Sequence, residues 1–186
     1  MSDPFGEAFS NKPVQREPHP AALTDEKILA ECRVDRSRSS GPGGQNRNKV
    51  ETHITLTHTP TGVSGQAGER RSQEENRRVA LRRLRLALAV EVRVPVPAGD
   101  ILSPLWRSRR KDRRIECNPR HQDFPSLLAE ALDVFAACGW DPGKGAASSR
   151  LEISSSQLVK FVALHKPAFA LMNAEREKRG MHALRA

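Results

Sequence analysis

Three scattered cysteines, no long apolar run and a hydrophobic share of only 37% bound what this 186-residue chain can be. Cys32, Cys117 and Cys138 stand far apart, and no C-x-x-C spacing occurs. Neither a zinc knuckle nor a redox pair is therefore suggested. The odd count, with nothing pointing to secretion, reads as free, part-buried thiols in a reducing compartment. No run of about 18 apolar residues exists, so no transmembrane helix is expected. Residues 1–22 carry Pro4, Pro13, Pro18 and Pro20 with mixed charges and lack the apolar stretch of a signal peptide. Asp3, Glu7 and Glu17 also argue against a mitochondrial presequence. This segment is read as a disordered arm. The sequence holds no Ser-His-Asp pattern to supply a nucleophile and no cluster of metal ligands, so neither metal nor cofactor is expected. His53, His58, His121 and His165 are scattered, and each reads as a surface or packing histidine rather than a base.

What is plentiful is positive charge. Lys and Arg number 31 against 22 Asp and Glu, a balance of +9. A chain this basic carries the usual electrostatic footprint of a nucleic-acid binder. The length suits one domain, or one small domain with a second helical unit and some linker.

Along the chain, "LTDEKILAE" reads as a short helix capped by Thr24, with Leu23 and Ile28 at the spacing of a hydrophobic staple. "CRVDRSR" alternates like a strand. In "VETHITLTH", Val50, Ile54 and Leu56 share one face, and Glu51, His53, Thr55 and Thr57 take the other. "TPTG" suits a type I turn, and "VSGQA" returns as the second strand of a hairpin. "RSQEENRRVALRRLRLALA" is the clearest helix. Ser72 and Glu75 form a capping box, and Ala80, Leu81, Leu84 and Leu88 make one apolar stripe. Arg77, Arg78, Arg82, Arg83 and Arg85 cover the remainder and are read as phosphate contacts, against the alternative of a solvated arginine face. Two prolines in "VRVPVPAGD" end that helix. "LWRSRRKDRR" follows, with six basic residues in its last eight, a block typical of a nucleic-acid-binding arm. From Phe124 onward three or four short helices are expected. Leu128, Leu132 and Phe135 mark the first, stopped by Gly139 and Pro142. A short one is expected within 144–151, and Ser154 with Gln157 caps the next. Pro167 opens the last, which runs to Gly180. The pair around "RLEIS" has helix-turn-helix spacing, a geometry that small bundles share.

The chemistry concentrates in "RSSGPGGQNRNK", residues 38–49. Gly41, Gly43 and Gly44 tolerate close approach of other backbones, and Pro42 stiffens the stretch between them. Such a loop can push a bare peptide N–H into a site too narrow for side chains. One such donor at a developing oxyanion is worth about 10²–10³ in rate. Water is then the nucleophile, and a partner completes the site.

The stretch from Gly41 to Lys49 resembles the GGQ loop of class I peptide chain release factors and their ribosome-rescue relatives. "RSSGPGGQN" reads like that family's approach to the loop, and "ITLTHTPTGV" looks like its strand, turn and strand. "ERRSQEENRRVALRRL" is similar to its Arg-Ser-Gln-x-x-Asn-Arg helix. The resemblance covers residues 24 to about 90. It implies an α+β fold: a small GGQ-type catalytic domain, with a mixed β-sheet and one long packing helix, at 23–92. By this reading the arm at 1–22 precedes that domain. A Pro-containing basic linker at 93–122 and a small all-α segment at 123–186 follow it.

The resemblance also implies function. The domain enters the peptidyl transferase centre of the large ribosomal subunit and promotes hydrolysis of the peptidyl-tRNA ester. Gly43 and Gly44 let the loop take its working conformation. The Gln45 backbone N–H stabilises the transition state or leaving hydroxyl, while its side chain, often N-methylated in the family, governs which nucleophile is admitted. Arg71, Ser72, Gln73, Asn76 and Arg77 match the helix motif and are assigned to RNA contact and to holding the loop against the helix. Arg38, Asn46, Arg47, Asn48 and Lys49 around the loop are also read as RNA contacts. So are Arg107, Arg109, Arg110, Lys111, Arg113 and Arg114 in the basic run. Where many family members have valine two positions after the glutamine, this chain has Arg47, which suits a phosphate or signals a relaxed function. Only some 20 residues precede the domain, so stop-codon reading is not expected. The partners implied are the ribosome, its RNA and peptidyl-tRNA, with a monomer acting in a bacterial cytoplasm or an organelle with bacterial-type ribosomes. Shorter relatives rescue stalled ribosomes, some with a basic tail in the empty messenger channel, a part the run from Arg107 to Arg114 could take. Two other readings stand beside this one: a ribosome or RNA binder without hydrolysis, and a DNA-binding regulator built on the C-terminal helices.

Overall fold

Short-range signals place the first elements. The computed structural model describes residues 17–37, 52–99, 101–143 and 146–186. After a 3-10 turn at Pro20–Ala22, helix α1 (Asp25–Ala30) begins at Thr24, whose hydroxyl accepts from Lys27 N–H at 3.4 Å. Ile28 is fully buried with Leu23 packed beside the same core, as a staple requires. Strands β1 (Cys32–Ser37), β2 (His53–His58) and β3 (Ser64–Ala67) form one sheet in the order β1-β2-β3. Both pairings are antiparallel, so the sheet is not the mixed one expected from the resemblance. The short turn between β2 and β3 can join only antiparallel neighbours, since a parallel pair needs a long crossover. β2 alternates as its sequence implies: Ile54 and Leu56 are buried while Thr55 and Thr57 are half-buried on the other face. The turn after it closes on Gly62 at φ 73°, whose N–H donates to His58 C=O at 2.8 Å.

Helix α2 (Gln73–Glu91) starts at Ser72, whose hydroxyl accepts from Glu75 N–H at 3.3 Å. It packs on β2 and β3, with Ala80 and Leu84 against the sheet at Gly65, and buries Leu81 and Leu88 in the same core. The crossing is close at Gly65. A Cβ there would lie 2.3 Å from Leu84 N and 2.5 Å from Ala80 O, so only glycine lets strand and helix meet.

Residues 93–122, read as linker, contain helix α3 (Pro104–Arg109) and a hairpin of β4 (Arg110–Lys111) and β5 (Arg114–Ile115). Ile101, Leu102, Trp106 and Ile115 are buried. α4 (Phe124–Ala137) follows and packs on α2. It is buried nearly all round, because α2 covers one side and α5 (Ala147–Arg150) and α6 (Ser155–Ala163) the other. α7 (Lys166–Glu177) packs on α6. One apolar cluster runs without a break from Leu56 and Leu84 through Leu132 to Phe161 and Met172. The α+β class therefore holds, and the C-terminal helices share a core with the sheet domain.

Two buried carboxylates tie the halves together. Asp133 accepts from Arg93 at 3.1 Å and from Val94 N–H at 3.2 Å. Glu130 accepts from Ser103 N–H at 2.8 Å. Each charge is offset by donors that are themselves fixed in the fold, the condition under which a buried carboxylate is tolerated.

Candidate functional site

Gly43, Gly44 and Gln45, with Arg38, Asn46, Arg47, Asn48 and Lys49, lie outside the described residues. What the structure defines is the platform at both ends of that segment. Ser37, the last residue of β1, is the register partner of His53, the first of β2. The Ser37 hydroxyl and His53 Nδ1 are 3.2 Å apart. The imidazole also leans on Gly68, where a Cβ would come within 2.5 Å of its Cδ2.

Asn76 is completely buried on the core face of α2. Its Oδ1 accepts from Arg70 N–H at 2.9 Å. Its Nδ2 donates to Thr52 C=O at 2.6 Å and to Arg70 C=O at 2.9 Å. The amide is thus satisfied on both ends by backbone, which leaves nothing for RNA. Asn76 belongs to the interior, and its assignment as an RNA contact is corrected. The second role assigned to it, holding the loop against the helix, concerns residues outside those described; the described bond ends at Thr52. Sequence alone cannot show this, because the partner carbonyl is 24 residues away.

Of its motif neighbours, Ser72 is the N-cap, and Arg71, Gln73 and Arg77 are exposed around the first turn of α2. Arg71 and Arg77 keep their guanidinium groups in solvent. Three arginines expected to meet phosphate are engaged within the chain instead. Arg82 donates to the carbonyls of Pro119, Arg120 and His121. Arg83 donates to Gln66 C=O at 2.7 Å and pairs with Glu69 at 2.7 Å. Arg85 donates to Ala21 C=O at 2.7 Å and pairs with Asp25 at 2.7 Å. Their sequence position on a basic helix face gave no sign of these acceptors, each of which lies on another element.

The basic run divides in the same way. Arg109 is half-buried and grips Asp123 through Nε at 3.0 Å and Nη2 at 2.5 Å. Arg110 pairs with Glu152 at 2.9 Å, and Arg107 donates to Leu102 C=O at 3.3 Å. Lys111 faces Glu116 at 3.2 Å with both side chains mostly in solvent, so that pair is weak. Arg113 and Arg114 are exposed at the hairpin turn and make no ion pair among the described residues. The turn itself is fixed: Asp112 adopts φ 50°, and Arg113 C=O accepts from Ser154 N–H at 3.0 Å. The run is a folded hairpin braced on α6, not a free tail.

The histidines are taken up by packing. His58 is 1% exposed, with Nε2 at 2.9 Å from Glu31 and Nδ1 at 2.8 Å from the Thr61 hydroxyl. His121 lies 3.2 Å from Arg109. Burial raises the thiol pKa of Cys32 and of Cys117, which keeps both protonated at neutral pH. Among the described residues no three or more His, Cys, Asp or Glu side chains gather as a metal site would need. No described helix is long and apolar enough to cross a membrane.

Comparison with known proteins finds a likeness over the sheet and α2. Residues 26–96 match the family model described as the RF-1 domain. Peptide chain release factor 2 of Variovorax paradoxus (strain S110) is 50% identical over 56 residues, 30% of this chain and 15% of that protein. Peptide chain release factor 1 of Xylella fastidiosa (strain 9a5c) is 48% identical over 56 residues, 30% and 16% of the respective lengths. Peptide chain release factor 1 of Ureaplasma parvum serovar 3 is 47% identical over 55 residues, 30% and 15%. The matched stretch thus spans only 15–16% of the curated relatives' length.

Proposed function

Because residues 26–96 match the RF-1 domain model, we propose that this chain hydrolyses the peptidyl-tRNA ester on the ribosome. It does so on stalled complexes and without reading a stop codon. The observation that carries this reading is the Gly43-Gly44-Gln45 tripeptide, inserted between two strand ends that the fold holds side by side. A backbone N–H brought to an ester needs no acid–base pair of its own. Ribosomal RNA and the transfer RNA supply the rest of the cavity, and water is the nucleophile. The Gln45 N–H stabilises the charge that develops on the ester or leaving oxygen, an effect of about 10²–10³ for one donor.

Charge supports the same partner. The chain is +9 overall, and Arg71, Arg77, Arg113 and Arg114 stand in solvent, with no ion pair among the described residues, as cations for phosphate. Arg38, Arg47 and Lys49 would add to them from within residues 38–49. The test is direct. Ribosomes stalled with peptidyl-tRNA release peptide when the purified protein is added, with or without a stop codon in the decoding site. Gln45→Ala and Gly44→Ala abolish that release. Equal release by wild type and both variants removes the catalytic reading and leaves an RNA-binding one.

The DNA-binding alternative finds less support. Helix α5 is a single turn, and α6 turns Leu158, Val159, Phe161 and Val162 into the core. α6 leaves Lys160 as its one exposed cation. That arrangement serves packing better than groove reading.

A further inference from the structure

Helix α2 and the loop before α4 face each other across a cleft of about 570 Å³. That volume falls within the roughly 300–1,000 Å³ of sites that hold small ligands. Arg78, Arg82 and Arg85 stand on the α2 wall, with Arg120 and Gln122 on the other. Leu23, Leu81, Leu105 and Pro125 give the cleft an apolar lining. The second wall lies beyond residues 26–96, so the cleft exists only where the C-terminal half meets the sheet domain.

Its charges do not cancel. Asp25 is taken by Arg85 at 2.7 Å, and Asp123 by Arg109 at 2.5 Å. Arg82 spends its donors on the carbonyls of Pro119, Arg120 and His121. Carbonyl oxygens satisfy those hydrogens and leave the unit charge in place. Arg120 is exposed and makes no ion pair among the described residues. Arg78 pairs with Glu74 at 3.3 Å, but both side chains are mostly in solvent and the pair is weak. The cleft therefore joins an apolar lining to a cationic rim, and suits an occupant that is flat and apolar at one end and anionic at the other.

A nucleotide is built that way. Guanidinium planes stack on base faces, and the phosphate carries the charge. The Gln122 amide offers a donor and an acceptor to a base edge. In paired A-form RNA the bases are held away from side chains, so the base that enters must be splayed out of the stack. An acidic peptide matches the charge but brings no flat face to the arginines.

We propose that this cleft holds one unpaired nucleotide of an RNA, its base on the apolar lining and its phosphate toward Arg78 and Arg120. Arg82 adds to the positive potential without touching the nucleotide. The site goes beyond the release reading and does not depend on ester hydrolysis.

The test measures binding of the full chain to labelled strands by fluorescence anisotropy. The probes are a short oligo(A) and an abasic strand of the same length and charge. Stacking of one base should make oligo(A) bind about tenfold tighter. Arg120→Ala and Ala22→Glu should each remove that preference. Both residues are exposed at the cleft, so both variants should melt like wild type, and either decides the matter if the other folds poorly. Arg113→Ala with Arg114→Ala, on the hairpin, should weaken both probes alike and keep the preference. Equal binding of the two probes by wild type overturns the proposal, as does a preference that survives both cleft variants. Displacement of oligo(A) by polyglutamate as readily as by unlabelled oligo(A) would make the cleft a peptide site instead. Equal displacement by a fully paired RNA would remove the need for an unpaired base, and equal displacement by AMP would assign the cleft to a free nucleotide. A wild-type protein that releases no peptide yet shows the preference loses the release reading and keeps this site.

Discussion

Trp106 donates its indole Nε1–H to the carbonyl of Leu151 at 3.0 Å, and both residues are fully buried. The bond joins α3 to the turn before α6 across 45 residues of chain. The Trp106 ring also meets Phe161 edge-on at 6.0 Å, and Phe161 meets Phe124 at 5.4 Å. This aromatic chain is the hinge pin of the C-terminal half.

Replacing Trp106 measures that pin. Trp106→Phe keeps most of the apolar volume but strands the Leu151 carbonyl, at a cost of about 1–3 kcal/mol. Trp106→Ala adds a cavity and should cost about 3–5 kcal/mol. Urea unfolding followed by circular dichroism separates the two. An unchanged midpoint for Trp106→Phe would show that the bond contributes nothing net.

Gly65→Ala tests the strand–helix crossing. The added methyl meets backbone atoms of Ala80 and Leu84, which cannot rotate away. The helix must lift, at about 3 kcal/mol. By contrast Gly62→Asn, at φ 73° with open space around it, should shift the midpoint little. Thermal melts of the two variants should therefore differ by several degrees.

Within the basic hairpin the charges should separate by role. Arg113→Ala with Arg114→Ala removes two free cations and should reduce the salt slope of RNA or ribosome binding by about two, with stability unchanged. Arg109→Ala leaves the part-buried Asp123 without its guanidinium and should cost about 1–2 kcal/mol, discounted for partial exposure. A stable Arg109→Ala protein with a reduced salt slope would place Arg109 among the phosphate contacts after all.

His165 sets a pH dependence. Its Nδ1 is out of solvent with no hydrogen-bond partner among the described residues, and burial lowers its pKa below the ordinary histidine value of 6.5. The unfolded chain then binds the proton more readily than the folded one. Stability contributed by this site is present above the unfolded value and lost as pH falls through the folded one. His165→Leu should lose less stability than wild type between about pH 7 and about pH 5, as read from urea midpoints. Parallel losses in both proteins would assign the acid sensitivity elsewhere.

The elements that could be read from sequence are those specified by near neighbours. Thr24 and Ser72 cap helices through N–H groups three residues on, and β2 alternates because one face is covered. The rest depended on partners far along the chain. Asn76 looked like a surface contact because its acceptor at Thr52 is across a strand, and Arg82 looked free because its three carbonyls precede α4. The run after Trp106 looked like a tail because its counter-charges, Asp123 and Glu152, come later in the chain. Gly65 carried no local mark at all, since a glycine needed for closeness has the same letter as one needed for a turn.

The side-by-side placement of Ser37 and His53 has an engineering consequence. β1 and β2 are in register without reference to residues 38–51, so a short turn in their place is expected to close one strand onto the other. The shortened protein would retain sheet, helices and free arginines while carrying no glutamine to offer. On the proposed reading it is a silent twin of the whole chain, expected to occupy the same berth without acting there.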